Sequence, residues 1–120
     1  MIFEIDLSSD APLYLQIAAG VRGSVLTGNL VAGQRLPPGR ELAAGLGVNL
    51  ETVQRAYRLL VDEGLLVSRV GRGTRVVDDV DTDALALRRQ ISDLVDRAAE
   101  LGIGSARLAT MVRNFPASPS

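Results

Sequence analysis

The stretch RELAAGLGVNLETVQRAYRLLVDEGLLVSRVGRGTRVV, residues 40–77, decides the fold. Its opening, Arg40-Glu41-Leu42-Ala43-Ala44-Gly45-Leu46, reads as a compact helix that Gly47 closes as a C-terminal glycine. Val48 leads to Asn49, whose side-chain oxygen suits it to cap the next helix. Thr52, Val53, Ala56, Tyr57, Leu59, Leu60 and Val61 make that helix, and Gly64 ends it. Two short helices joined by Gly47-Val48-Asn49 have the geometry of a helix-turn-helix. Beyond Gly64, Leu65-Leu66-Val67-Ser68-Arg69-Val70 and Thr74-Arg75-Val76-Val77 are β-rich runs. They flank Gly71-Arg72-Gly73, which makes a hairpin with a basic tip.

Upstream, Ile2, Phe3, Glu4, Ile5, Asp6 and Leu7 alternate and a polar Ser8-Ser9-Asp10 follows, so residues 1–11 read as an extended arm that pins an apolar residue or two onto the domain. Pro12 sits where a helix can start, because its missing N–H costs nothing there. Leu13, Ile17, Ala18, Val21, Val25 and Leu26 then recur at helical spacing until Thr27-Gly28-Asn29 stops them, a helix of about four turns. Gly33, Pro37, Pro38 and Gly39 bracket Gln34-Arg35-Leu36, which is long enough for one small strand only.

Downstream, Asp78-Asp79-Val80-Asp81 is an acidic break. Leu85, Arg88, Ile91, Leu94, Val95, Ala98 and Leu101 follow with i, i+3, i+4 spacing, and Gly102-Ile103-Gly104 ends the helix they define. Ser105 is placed to cap a last helix carrying Leu108, Met111 and Val112, and residues 116–120 are a frayed end. The expected fold is mostly α with a small β hairpin. It comprises a winged helix-turn-helix over residues 1–77 and a short two-helix tail over residues 78–120.

Composition narrows the chemistry. The 120 residues contain no Cys and no His, which removes disulfides, thiolate nucleophiles, the usual general base near neutral pH and the commonest metal ligands. No catalytic residue, cofactor or metal is therefore expected, and adjacent acids such as Asp62-Glu63 and Asp78-Asp79 read as solvated. No apolar run approaches the ~20 residues of a membrane span and no signal layout opens the chain, so a cytoplasmic location without membrane contact is expected. The net charge of −1 hides an asymmetry. Residues 35–75 hold seven Arg against four acids, whereas residues 78–120 hold five Arg against seven acids. A polyanion would dock on the middle of the chain.

A helix about 10–12 Å across fits the DNA major groove, and a hairpin tip can lie on phosphates or in the adjacent minor groove. Arg40 falls in the first turn of its helix, where a long cation reaches a phosphate. Asn49, Glu51, Thr52, Gln54 and Arg55 are the exposed early positions of the following helix, while Val53, Ala56 and Tyr57 face inward. Taken singly each feature has an ordinary explanation. Arg55 can pair with Glu51 one turn earlier, Asn49 is first a helix cap, Thr52 can simply hold the helix start, and Arg72 can be just a hairpin tip. Glu51 can accept from a cytosine amine, or it can be a first-turn acid favoured by the helix dipole in the capping-box manner.

In this order the residues resemble a known family. Gly28-Asn29-Leu30-Val31-Ala32-Gly33-Gln34-Arg35-Leu36-Pro37 looks like the opening signature of GntR-type bacterial transcription regulators, and Arg40-Glu41-Leu42-Ala43 continues it. Gly47-Val48-Asn49, Thr52-Val53, Arg55-Ala56-Tyr57, Leu60, Glu63-Gly64-Leu65 and Gly71-Arg72-Gly73-Thr74 match its later pieces in sequence. The match covers roughly residues 3–77. The opening Phe3-Glu4-Ile5-Asp6, the run Pro12-Leu13-Tyr14-Leu15-Gln16-Ile17 and a tail of about 40 residues resemble the small YtrA-type subfamily, with no room for the larger C-terminal domains of other relatives. The chain departs from the pattern at Pro38, where relatives often place a capping Ser, so the helix start is expected to shift by a residue. Leu50 and Glu51 depart as well, standing where relatives commonly carry polar or basic residues, or Pro and Asn.

The resemblance implies contact with double-stranded operator DNA through Arg35, Arg40, Asn49, Glu51, Thr52, Gln54, Arg55, Arg58, Gly71, Arg72, Gly73 and Thr74. The tail is too short for a core of its own, so its stripe either closes the first unit or forms a dimer seam. The expectation is a homodimer joined through Ile91, Leu94, Val95, Ala98, Leu101, Leu108, Met111 and Val112. Duplicated reading heads suit a pseudo-palindromic operator. The leading function is sequence-specific regulation of transcription, as a repressor released by an unknown small-molecule effector or by altered dimer geometry. The rival is a winged-helix protein-interaction module that does not bind DNA.

Overall fold

A computed structural model describes residues 3–117, and the chain divides into two compact units, Met1–Thr82 and Asp83–Ser120. In the first unit α1 spans Leu13–Leu26, with Pro12 as the residue before it and its carbonyl accepting from Leu15 and Gln16. Ile17, Ala18, Val21 and Ser24 form the buried face, and the Ser24 hydroxyl donates to the Gly20 carbonyl at 2.9 Å. Ile17, Ala18 and Val21 of the stripe read from the sequence are thus buried, whereas Leu13, Val25 and Leu26 are only half-buried and Ser24, its hydroxyl satisfied, takes the inner position in the last turns. The Phe3 ring of the arm lies against Gly20, where a Cβ would collide with it. Gln16 clasps the arm from the helix, accepting from the Asp6 N–H at 2.7 Å and donating to its carbonyl at 3.0 Å. The arm's Ile2 lies outside the described residues.

α2 spans Gly39–Leu46 and α3 spans Leu50–Asp62. Pro38 precedes α2 without a side-chain cap, and the helix starts at Gly39, one residue earlier than the spacing indicates. Between the helices Gly47 adopts φ 70°, the left-handed conformation that lets the Val48 N–H return to the Ala43 carbonyl at 3.0 Å. Asn49 caps α3 by accepting from the Glu51 N–H at 2.7 Å. β1, Leu66–Arg69, pairs antiparallel with β2, Gly73–Val76, in the register Leu66 opposite Val76 and Arg69 opposite Gly73. Gln34-Arg35-Leu36 supplies a single bridge, Arg35 to Arg75, with Leu36 donating to Thr74 and Val76 to Gln34.

Ile17, Val21, Leu30, Val53, Leu60 and Val76 are the fully buried centre of this unit. They come from α1, the following loop, α3 and the hairpin. Arg22 of α1 also grips Glu63 at the end of α3 through Nε to Oε2 at 3.0 Å and a second contact from Nη2 to Oε1.

α4 runs from Thr82, the last residue of the first unit, to Glu100, and α5 of the second unit spans Ser105–Arg113. Gly102 reverses the chain at φ 78°, and the Ile103 N–H returns to the Ala98 carbonyl at 2.8 Å. Ser105 is not the cap of α5: Gly104 holds that position, without a side-chain hydrogen bond, and Ser105 is the first helical residue. Leu85 and Ala98 are buried, Val95 and Leu108 half-buried, and Ile91, Leu94, Leu101, Met111 and Val112 exposed.

Candidate nucleic-acid interface

At 3.6 residues per turn, Val53, Ala56, Tyr57 and Leu60 place one face of α3 in the core. The opposite ridge is then Glu51, Arg58 and Asp62, with Gln54 and Arg55 on its flanks, and all five are exposed. A polar ridge on a helix whose other side is anchored by four buried residues is rigid and outward-facing. The Tyr57 phenol donates to the Pro37 carbonyl at 2.8 Å, tying α3 to the loop that launches α2 and so positioning Arg40. Burial pushes that phenol up to about 12.

The start of α2, the wall of α3 and the hairpin enclose a groove of about 710 Å³ lined by Arg35, Arg40, Gln54, Arg58, Gly73 and Thr74 among others. Three arginines thus line one depression, with Asp62 as its acidic member, in a molecule of net charge −1. Thr74 donates to the Ser68 hydroxyl across the hairpin at 3.1 Å. Gly73 serves two purposes. Its φ of 72° suits a residue without Cβ, and an added Cβ would lie 2.9 Å from Nε and Nη2 of Arg35. Arg35 therefore rests directly on the wing. Gly71 and Arg72 form the exposed tip, where the Arg72 N–H donates to the Arg69 carbonyl at 3.0 Å. Val70 projects fully into solvent beside them.

The side chains of α3 pair differently from the spacing rule. Arg55 does not meet Glu51; its guanidinium lies 3.8 Å above the Tyr14 ring of α1. Glu51 instead accepts from Nη2 of Arg58, two turns on, at 2.9 Å. Its carboxylate is thus turned along the helix toward Arg58, and as the second helical residue it is not the capping-box acid. Thr52 is half-buried, and its N–H donates to the Asn49 carbonyl at 3.1 Å, so it helps hold the helix start. Sequence reading missed Tyr14, Leu50, Val61 and Ser68. The last three line the groove, and Tyr14 meets α3 only because α1 crosses it. Among the described residues no group of three or more His, Cys, Asp or Glu could hold a metal ion, and no helix is long and apolar enough to cross a membrane.

Comparison with known proteins gives a consistent picture. The family model described as "Bacterial regulatory proteins, gntR family" matches residues 13–76. The chain is 29% identical to the HTH-type transcriptional repressor YtrA of Bacillus subtilis, covering 97% of this chain and 93% of that protein. It is 39% identical to the protein named "Probable rhizopine catabolism regulatory protein MocR" of Rhizobium meliloti over 72% of this chain, but spans only 17% of that relative's length. The fold resembles YtrA from Sulfolobus acidocaldarius, a GntR-family transcription factor, at TM-score 0.64 and 39% identity, covering 83% of this chain and 99% of that one. It also resembles the DNA-binding domain of AraR in complex with operator ORE1, at TM-score 0.55 and 32% identity, covering 63% of this chain and 95% of that one.

Proposed function

Because the chain belongs to the GntR family of bacterial regulatory proteins, we infer that it is a sequence-specific DNA-binding regulator of transcription that acts as a repressor. The observation that carries this reading is the groove that Arg35, Arg40 and Arg58 line beside the outward ridge of α3. A ridge of this width enters a major groove, while the hairpin reaches the flanking backbone. Arg35, Arg40 and Arg72 would hold phosphates, Asn49 and Gln54 would face base edges, and Gly71, Gly73 and Thr74 would bring the wing backbone close to the duplex. Occupying a promoter-overlapping operator would exclude polymerase.

The regulator would work as a homodimer. Ile91 and Leu94 on α4, Leu101 in the turn after it, and Met111 and Val112 on α5 are apolar side chains that water covers in the single chain. Burying them against a second copy would give the assembly two α3 helices, which suits an operator whose half-sites lie about one helical turn, ~34 Å, apart.

Selection of bound duplexes from a random pool, followed by a salt titration, tests the reading. A two-part consensus with inverted symmetry is expected, with affinity falling steeply as salt rises. Recovery of no preferred duplex would favour the protein-docking role that the net charge of −1 suits. A chain that sediments as a monomer at micromolar concentration would remove the dimer.

A further inference from the structure

The outermost group at the leading end of α3 is a carboxylate, an unusual choice for a helix meant to approach phosphates. Glu51 and Arg58 are two turns apart on the same ridge, with side chains 68% and 60% exposed, and their contact at 2.9 Å faces solvent. The backbone beneath Glu51 is fixed, since its N–H is held by the Asn49 cap. Arg55 is drawn aside to the Tyr14 ring, so Arg58 supplies the neutralising charge.

We propose that Glu51 is a specificity-determining residue that accepts a hydrogen bond from the exocyclic N4 amine of a cytosine in the major groove, with Arg58 as its positioning residue. The proposal rests on the DNA-binding reading above. A carboxylate offers acceptors only. Guanine presents two acceptors at its major-groove edge and thymine an acceptor and a methyl group, so both repel it or leave it unsatisfied. Adenine sets an acceptor beside its amine, whereas cytosine presents a donor. A bare carboxylate would also be repelled by the phosphates on either side of the groove. The Arg58 guanidinium offsets part of that repulsion and holds one carboxylate oxygen, leaving the other as the acceptor for the amine.

The test uses the full chain, its E51A, E51Q and R58A variants, and selection from a random duplex pool. Wild type is expected to require C·G at one position of each half-site. Replacing that pair with T·A should weaken wild type about tenfold and E51A less than about twofold. E51Q, which keeps the shape, should move the preference toward adenine, whose edge a Gln amide matches. R58A should broaden the same position and leave the others sharp. Equal melting temperatures and equal far-ultraviolet circular dichroism would show that the variants fold.

Two results would overturn the assignment alone: a wild-type consensus that E51A leaves unchanged, or tighter binding of E51A to every sequence equally, as a merely repulsive carboxylate would give. A wild-type chain that enriches no sequence would overturn the DNA-binding reading and the assignment with it.

Discussion

Replacing Gly73 with Ala, set beside the same change at Gly71, separates the backbone of the wing from the arginine that rests on it. Both glycines have left-handed backbones, at φ 72° and 78°. Each substitution should therefore cost roughly 1–2 kcal/mol of conformational strain. For a domain of this size that lowers the melting temperature by about 4–8 °C per kcal/mol. The surroundings differ. Nothing lies within 4 Å of a Cβ at position 71, whereas a Cβ at 73 would meet Arg35 Nε and Nη2 at 2.9 Å and Cζ at 3.2 Å. The obstacle is the far end of a flexible side chain, so it moves at little further cost in stability, but it leaves the wing. G71A and G73A should thus lose similar stability by calorimetry, while only G73A should lose the phosphate contact proposed for Arg35. In a salt titration G73A should reduce the slope of log K against log salt by about one phosphate contact. In an R35A background, G73A should have no further effect on that slope. Identical binding by G71A and G73A, or an R35A variant that binds like wild type, would refute the coupling.

Three other outcomes are expected. The Tyr57 phenol is neutral in the fold with its pKa raised by burial to about 12, against 10.0 when unfolded, so stability should be full below pH 10 and fall by about 2–3 kcal/mol between pH 10 and 12. Y57F should abolish that fall in an alkaline melt while losing about 1 kcal/mol at pH 7 from the bond to Pro37. R22A should lower stability by roughly 2 kcal/mol because it removes both charge-assisted bonds to the half-buried Glu63 carboxylate, and denaturant titration of R22A, E63A and the double variant should show strong non-additivity. N49A should lose about 1 kcal/mol from the α3 cap, read as a shift in denaturant midpoint with an unchanged slope.

The order of elements was legible in the chain because short-range physics writes it. Gly47 admits a left-handed turn, Asn49 offers an oxygen to free N–H groups, the spacing of Val53, Ala56, Tyr57 and Leu60 buries one helical face, and glycines 71 and 73 bend a hairpin. These features act within a few residues of themselves, and the same spacing identified which side of α3 faces out. What only the tertiary structure decided are contacts between segments distant in sequence. The i, i+4 rule pairs Glu51 with Arg55, yet the Tyr14 ring on a crossing helix takes Arg55 and hands Glu51 to Arg58. Ser24 takes the inner position in the last turns of α1, where a hydroxyl bonded to its own helix is buried at little cost. The placement of Arg35 over Gly73 likewise depends on Gln34-Arg35-Leu36 bridging to β2. Local propensity sets where each element begins and ends; the choice among competing partners for a long charged side chain depends on distances that exist only after the chain has packed.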